Sequence, residues 1–402
     1  MPEGFWEEKR KVFEPCSGKG GFLLDIVERF MNGLMGKIED EKQRYKEIVE
    51  ECLYFSDIND MNIFICRLLL DPYIEYKLNY NEGDTLKLDI KEKWGVEGFD
   101  AVIGNPPYQD CNASGDNKLY LSFTKFSHKR LLLPNGILLF ITPTNIIDYL
   151  LCVDKNRRIF DRLQDIRYIA INTPKKFFNV NSTFTYFLML NDSYKNTKVI
   201  VEYIDVDSSV SKTEMYLREG EGLPRTPSKM VLDILSKITT SNKREQYEFK
   251  TFRFKGRCQR IRSQHIKKGI VSKIQNEQYK YPIVDTINKK NPEGLIYYYP
   301  KLDDDIEKNK IVFSRKGYLM PTYDESHSKT YSDNFMFIEV EDDNLLILFK
   351  SRIIDFLCKQ YSKNGFDLIH SIQKLRKINK RVSDISEIYM EYNLTEEEIN
   401  CI

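Results

Sequence analysis

Over its first 200 or so residues the chain alternates short apolar runs with segments of helical period, and this restricts it to a sheet covered by helices. The fold class expected is α/β. "KVFEPCSGKGGF" reads as a strand followed by a Gly-rich turn, and "FLLDIVERFMNGL" then puts Leu23, Ile26, Val27, Phe30 and Leu34 on one helical face. "CLYFSDIND" is a second strand ending in acids, and "FDAVIG" and "GILLFITP" are two more. Between those last two, "NKLYLSFTKFSHKRLL" holds Leu119, Phe123, Phe126 and Leu131 in helical phase. "RYIAINT" and "STFTYFLML" complete the sheet, and "VIVEYIDV" extends it.

At 402 residues the chain is long enough for two cores. Between 207 and 245 the pattern breaks into polar, turn-forming stretches, which sets expected domains of 1–225 and 226–402. Beyond lie a basic stretch, strand-like pieces ("LIYYYP", "KIVFSR", "NFMFIEV"), a helix near 343–361 and a charged tail. No apolar run approaches the ~18 residues of a membrane span. The N-terminus lacks the apolar core of a leader, so the expected location is the cytoplasm. Eight cysteines without a CxxC pair argue for reduced thiols rather than zinc or disulfides, and four histidines make metal chemistry an unpromising reading. Net charge is only +1, yet Lys243 to Lys290 carries fourteen Lys/Arg against four Asp/Glu. Such an excess is either a footprint for phosphate or a solvated basic face.

In an open α/β sheet, ligands bind beyond the carboxyl ends of the strands, and the chemically informative residues cluster at such ends. Gly18 and Gly20 let the backbone turn sharply and approach a ligand, though an ordinary strand-to-helix turn uses glycine too. Asp57, ending the second strand, is placed either to accept from ribose hydroxyls or to cap a helix. Asp84 in "GDTL" is placed to accept from an adenine amino group. At the end of "FDAVIGNPPY", Pro106 and Pro107 make a stiff, donor-poor segment with φ fixed near −65°. The Asn105 side-chain oxygen and the Pro106 carbonyl would each accept one hydrogen of an exocyclic amine, drawing its nitrogen toward tetrahedral geometry. Tyr108 would stack on the base that carries the amine.

Taken in order, Glu14-Pro15-x-x-Gly18-x-Gly20, Asp57, Asp84 and Asn105-Pro106-Pro107-Tyr108 resemble the S-adenosylmethionine-dependent amino-methyltransferases. The likeness is in particular to the gamma-class adenine-N6 DNA methyltransferases of restriction-modification systems, and it covers the first 190 residues well and the rest loosely. The resemblance implies a Rossmann-like, seven-stranded mixed sheet followed by a C-terminal α+β target-recognition domain. It implies S-adenosyl-L-methionine as cofactor, with Glu14 and the loop Pro15, Cys16, Gly18 and Gly20 at its methionine part, Asp57 at the ribose and Asp84 at the adenine. It implies that Phe178, or its neighbour Phe177, stacks on the flipped base. Asparagine at the first motif position favours adenine over cytosine.

The implied chemistry is direct displacement, in which the protein contributes positioning and charge complementarity. The base must leave the duplex to be reached. "EFKTFRFKGRCQRIRSQHIKK" interleaves cations with aromatics, so Arg257 and Arg260 suit phosphate contact. Arg315 and Lys316 in "KIVFSRKGY" sit where a strand-to-turn element points a cation at a base edge. The partners expected are double-stranded DNA and a separate restriction endonuclease, with no membrane and no metal. The Lys/Asn/Ile/Tyr-rich usage suggests an AT-rich bacterial or viral genome. One departure stands out, because the family's aromatic-Thr-Pro motif ahead of the glycine turn is not seen here. The rival expectations are an RNA-base or protein-glutamine amino-methyltransferase with the same Asn-Pro-Pro-Tyr chemistry, or a DNA-binding remnant with impaired catalysis.

Overall fold

The structure, a computed structural model, describes residues 1–109, 118–151, 166–173, 183–192, 198–204, 209–217, 222–252, 261, 263–288, 291–300, 308–315, 319–325, 330–332, 334–361 and 368–402. The chain divides into two compact units, Met1–Gly222 and Leu223–Ile402.

The first unit begins with β1 (Val12–Glu14), α1 (Gly21–Gly33), α2 (Glu41–Glu47), β2 (Leu53–Asp57) and α3 (Asp60–Leu70). There follow β3 (Asn79–Glu82), α4 (Ile90–Trp94), β4 (Phe99–Gly104), α5 (Leu119–Phe126), β5 (Leu132–Pro143) and α6 (Ile146–Leu150). It closes with β6 (Ile166–Thr173), β7 (Phe184–Leu190), β8 (Val199–Ile204) and β9 (Val210–Met215). These strands make one nine-stranded sheet in the order β3-β2-β1-β4-β5-β7-β6-β8-β9. β3 through β5 run parallel, while β7 is antiparallel to both β5 and β6. β8 pairs parallel to β6, and β9 turns back along β8, so two strands extend the seven expected.

The local reasons are visible in the residues. Strands buried on both faces need continuous apolar runs, and "VFE" and "LYFSD" are buried throughout. One face of the sheet packs Val12, Phe55 and Ile103 against the α1 stripe, and all five residues expected there are buried. The other face is aromatic: Phe13 stacks on Phe99 at 4.8 Å, and Trp94 meets Tyr54 edge-on at 5.3 Å. In α5 Phe123 is buried as expected but Tyr120 takes the place of Leu119, and the π-helical turn Ser127–Leu131 that follows buries Leu131.

β1 lies between β2 and β4, so the chain leaves the centre of the sheet in both directions. That crossover opens the cleft where open α/β sheets take ligands. The loops after β1, β2, β3 and β4 all emerge on this edge.

The second unit contains α7 (Lys229–Ile238), β10 (Lys250–Thr251), α8 (Ser263–Lys267), β11 (Tyr281–Asn288), β12 (Asn291–Tyr299), β13 (Lys310–Ser314), β14 (Thr322–Asp324), β15 (Thr330–Tyr331) and β16 (Phe335–Glu339). Five helices follow, α9 (Leu346–Phe349), α10 (Arg352–Tyr361), α11 (Leu368–Ile372), α12 (Ile385–Glu391) and α13 (Glu396–Cys401). One sheet has the order β10-β16-β13-β14 and the other β12-β11-β15. The main core joins Ile234 and Ile238 of α7 to Ile311, Phe313 and Ile338 of the first sheet and to Ile353 and Leu357 of α10. The charged tail is therefore not loose. Its Ile388 and Tyr392 are buried, and Thr395 with Glu398 forms a capping box that starts α13.

Candidate active site

The loop after β1 is a left-handed turn. Gly18 has φ 52° and Gly20 φ 85°, a region costly for any residue with a Cβ. A Cβ on Gly20 would lie 3.3 Å from Cys66 Sγ and 3.4 Å from Leu69 Cδ1, both on α3, whereas one on Gly18 would meet open space. Cys66 Sγ also lies 3.4 Å from the Gly18 carbonyl, so α3 walls the loop from behind. Gly20→Ala is expected to cost about 1–2 kcal/mol from backbone handedness alone. In thermal unfolding that is a fall in Tm of a few degrees; an unchanged Tm would contradict the turn described here.

Four more contacts tie this loop and the ends of β2 and β3 together. Ser17 N–H donates to the Ser56 carbonyl at 3.0 Å. Thr85 Oγ1 donates to the Pro15 carbonyl at 2.7 Å and lies 2.8 Å from Ser56 Oγ. Gly83 N–H donates to the Asp57 carbonyl at 2.9 Å. The ends of β1, β2 and β3 are thus one hydrogen-bonded unit, which brings Glu14, Asp57 and the turn at Asp84 together.

Each acid has a different setting. Asp57 Oδ2 accepts from Gly18 N–H at 2.8 Å, and its Oδ1 from Asn59 N–H at 2.9 Å and Asn62 Nδ2 at 3.2 Å. Asp57 does not cap α3; Asn59 does, accepting from Met61 and Asn62. Asp84 accepts from Leu86 N–H at 3.1 Å and so starts the short turn Thr85–Lys87. It borders a polar cavity of about 360 Å³ shared with Asn81, Gly83, Lys87 and Glu92. Glu14 is only 1% exposed, and its Oε2 has no hydrogen-bond partner among the described residues. Burial first, and then the charge of Asp57, push the Glu14 carboxyl well above its ordinary range. The Cys16 thiol is pushed up by burial, by Glu14 and by Asp57, with the Asn105 backbone hydrogen bond opposing them.

The β4 end sits directly against this unit. A Cβ on Gly104 would lie 3.3 Å from Pro15 Cδ and 3.6 Å from Cys16 Sγ, so the two strand ends approach closely enough that even a methyl group there would be tightly packed. Next in the chain, Asn105 is half-buried, Pro106 buried and Pro107 exposed. Tyr108 folds back, its hydroxyl donating to Asn105 Oδ1 at 2.8 Å and its ring resting 5.6 Å from that of Phe184 on β7. The oxygen expected to receive a substrate amine therefore already holds an internal donor. Burial raises the Tyr108 phenol, with the hydrogen bond to Asn105 opposing it.

The structure thus brings Glu14, Pro15, Cys16, Gly18, Gly20, Asp57, Asp84 and Asn105 to Tyr108 to one edge of the sheet. Phe177, Phe178, Arg257, Arg260 and Lys316 lie outside the described residues. Arg315 follows β13 in the second unit, its N–H donating to the Asn334 carbonyl at 2.8 Å. Sequence reasoning missed Thr85, Cys66 and Phe184, each brought to the site by contacts distant in the chain. Among the described residues, no group of three or more His, Cys, Asp or Glu is arranged to hold a metal ion, and no helix is long and apolar enough to cross a membrane.

Comparison with known proteins points the same way as the geometry. Residues 51–178, which include Asp57, Asp84 and Asn105 to Tyr108, match the family described as Eco57I restriction-modification methylase. No curated protein matches the chain in sequence. Among solved structures, the Type IIL restriction-modification enzyme MmeI in complex with DNA is similar over 92% of this chain and 61% of its own, with TM-score 0.50 and 11% identity. The type I restriction enzyme EcoKI M protein is similar over 50% of this chain and 47% of its own, with TM-score 0.38 and 16% identity. The type I restriction-modification methyltransferase subunit from Streptococcus thermophilus is similar over 55% and 50%, with TM-score 0.36 and 16% identity. The chain thus spans about half the length of these type I subunits. Residues 51–178 thus resemble the Eco57I restriction-modification methylases, and the mixed α/β sheet that carries them is similar in fold to that of MmeI.

Proposed function

We propose that this chain is a site-specific DNA methyltransferase that uses S-adenosyl-L-methionine to methylate the N6 amine of an adenine flipped out of duplex DNA. The observation that carries the reading is the direct contact of the glycine loop with the β4 end, Gly104 against Pro15 and Cys16. A methyl donor in the first and an amine in the second would lie side by side.

The residues present suit the cofactor. Glu14 has a buried, unpartnered carboxylate oxygen beside the charge of Asp57, and this pair favours a cationic group with N–H donors. The open space at Gly18 admits a ligand close to the backbone. On this reading Glu14 and the loop Pro15 to Gly20 hold the methionine part, Asp57 the ribose and Asp84 the adenine. When bound, the cofactor supplies an electrophilic methyl group on a sulfonium sulfur.

The chain's own work is to bind and orient the amine. Asn105 Oδ1 and the Pro106 carbonyl accept its two hydrogens, and the nitrogen lone pair is then turned toward the glycine loop. Asn105 Oδ1 has two lone pairs, so the Tyr108 hydroxyl can keep its bond and fix the plane of the amide while the amine takes the other. The Tyr108 ring, backed by Phe184, offers a stacking face that offsets the few kcal/mol needed to extrude a base. Reading of the DNA falls to the unit Leu223–Ile402, whose basic segment 243–290 suits phosphate contact. A separate restriction endonuclease is the partner this reading implies, and the cytoplasm its place of action.

Purified protein incubated with labelled S-adenosylmethionine and, in parallel, duplex DNA, tRNA or release factor tests the proposal. The expected product is N6-methyladenine in the DNA. Label in RNA or protein rejects the substrate, and label in cytosine rejects the base.

A further inference from the structure

We propose that Thr85 is a positioning residue for methyl transfer, its hydroxyl closing a buried chain of hydrogen bonds that holds the glycine loop against the end of β4. The inference rests on the methyltransferase reading above and names what sets the spacing within that site.

The chain links β3, β2, the turn after β3 and the loop after β1. Asn81 Nδ2 lies 3.0 Å from Ser56 Oγ, Ser56 Oγ lies 2.8 Å from Thr85 Oγ1, and Thr85 Oγ1 lies 2.7 Å from the Pro15 carbonyl. Chemistry fixes the direction of every bond. A carbonyl only accepts, so the one proton of the Thr85 hydroxyl goes to Pro15. Ser56 must then donate to Thr85, and its oxygen accepts from the Asn81 amide. Each hydroxyl thus donates once and accepts once, and bonds aligned head to tail in this way polarise and strengthen one another. Ser56 and Thr85 are 0% and 3% exposed, so water does not compete for these links.

The two ends of the chain lie at the two parts of the site. Asn81 lines the polar cavity beside Asp84, and Thr85 follows Asp84 in the turn that Asp84 caps. Pro15 is the loop residue packed against Gly104, the neighbour of Asn105. Ser17 N–H, donating to the Ser56 carbonyl at 3.0 Å, gives the same loop a second tie to β2. The bond to Pro15 therefore sets how far the loop stands from Asn105. In a transfer reaction an error of about 1 Å in such a spacing costs on the order of 10²-fold. Thr85 acts on the reaction through Pro15.

Three variants test this. Thr85→Val keeps the shape and removes the hydroxyl, which leaves the Ser56 proton buried without its acceptor. Thr85→Ser keeps the hydroxyl. Thr85→Val combined with Ser56→Ala removes both partners, so the stability lost to the orphaned group is largely regained. In the ligand-free chain, hydrogen exchange at the Ser17 and Gly18 amides is expected to quicken at least about tenfold in both variants that carry valine, and to stay within about twofold of wild type in Thr85→Ser. Single-turnover methyl transfer at saturating cofactor should fall at least about tenfold in the same two variants and recover in Thr85→Ser. Unchanged exchange in Thr85→Val overturns the proposal. So does a double variant that regains the transfer rate along with its stability, since Thr85 would then serve the fold alone. A wild type that transfers methyl to none of DNA, tRNA and release factor overturns the methyltransferase reading and this inference with it, whereas an active wild type with an indifferent Thr85→Val overturns this inference alone.

Discussion

With Asn105 replaced by Ala, methyl transfer to DNA falls at least about 10²-fold in kcat, the loss typical of removing one preorganised polar group from the reacting centre. Two effects combine. On the proposed reading the amine loses one of its two acceptors, so its lone pair is no longer aimed at the glycine loop. The Tyr108 hydroxyl also loses the Asn105 oxygen to which it donates, and with it the restraint that holds its ring beside Phe184. Tyr108→Phe separates them, because it keeps the ring and the Asn105 oxygen and removes only the bond between them. Its expected loss is smaller, about the 0.5–1.5 kcal/mol of one neutral hydrogen bond. Single-turnover rates with labelled cofactor measure both. Affinity for the cofactor should change little in either variant, since the glycine loop is tied to α3 and Thr85 and meets Asn105 only through its backbone, which both variants keep. Asn105→Ala turning over at the wild-type rate would remove this loop from the mechanism.

Much of this arrangement could be read from the residues because the relevant signals are local. The α1 stripe repeats at helical spacing, the parallel strands are continuous apolar runs, and each strand end carries its own acid, glycine or Asn-Pro-Pro-Tyr segment. What escaped was long-range or hidden by polarity. Thr85 reaches Pro15 across 70 positions, and no local pattern marks a threonine that will bridge two loops. "VSKTEM" reads as turn-forming, yet it is β9, an edge strand that pairs through backbone atoms and so needs no apolar face. α7 begins in the same polar stretch, started by the Ser228 side chain accepting from Val231 N–H. The C-terminal helices were obscured by their charge, since the buried Ile388 and Tyr392 are sparse within an acidic sequence. The Tyr108 hydroxyl on Asn105 depends on a rotamer and lies beyond any pattern.

Glu14→Gln is expected to make the protein more stable and its cofactor binding weaker, a combination that a merely structural carboxyl would not produce. The Glu14 carboxyl is buried, lacks a partner at Oε2 and sits near the charge of Asp57, so its folded pKa lies well above the ordinary 4.5. The folded state then holds a proton that the unfolded state releases. By linkage, the stability contributed by neutral Glu14 is fully present below about pH 4.5 and is lost as pH rises through the raised folded value. Glutamine fills the same space without that titration. The variant should therefore match the wild type near pH 4.5 and exceed it progressively at higher pH, as urea denaturation at several pH values would record. Binding should respond in the opposite sense, because a charge-assisted hydrogen bond is worth about 1.5–3 kcal/mol. Calorimetric titration with S-adenosylmethionine should show affinity lowered roughly tenfold or more. Unchanged affinity, with or without the gain in stability, would remove Glu14 from the cofactor site and leave its buried carboxyl without a function.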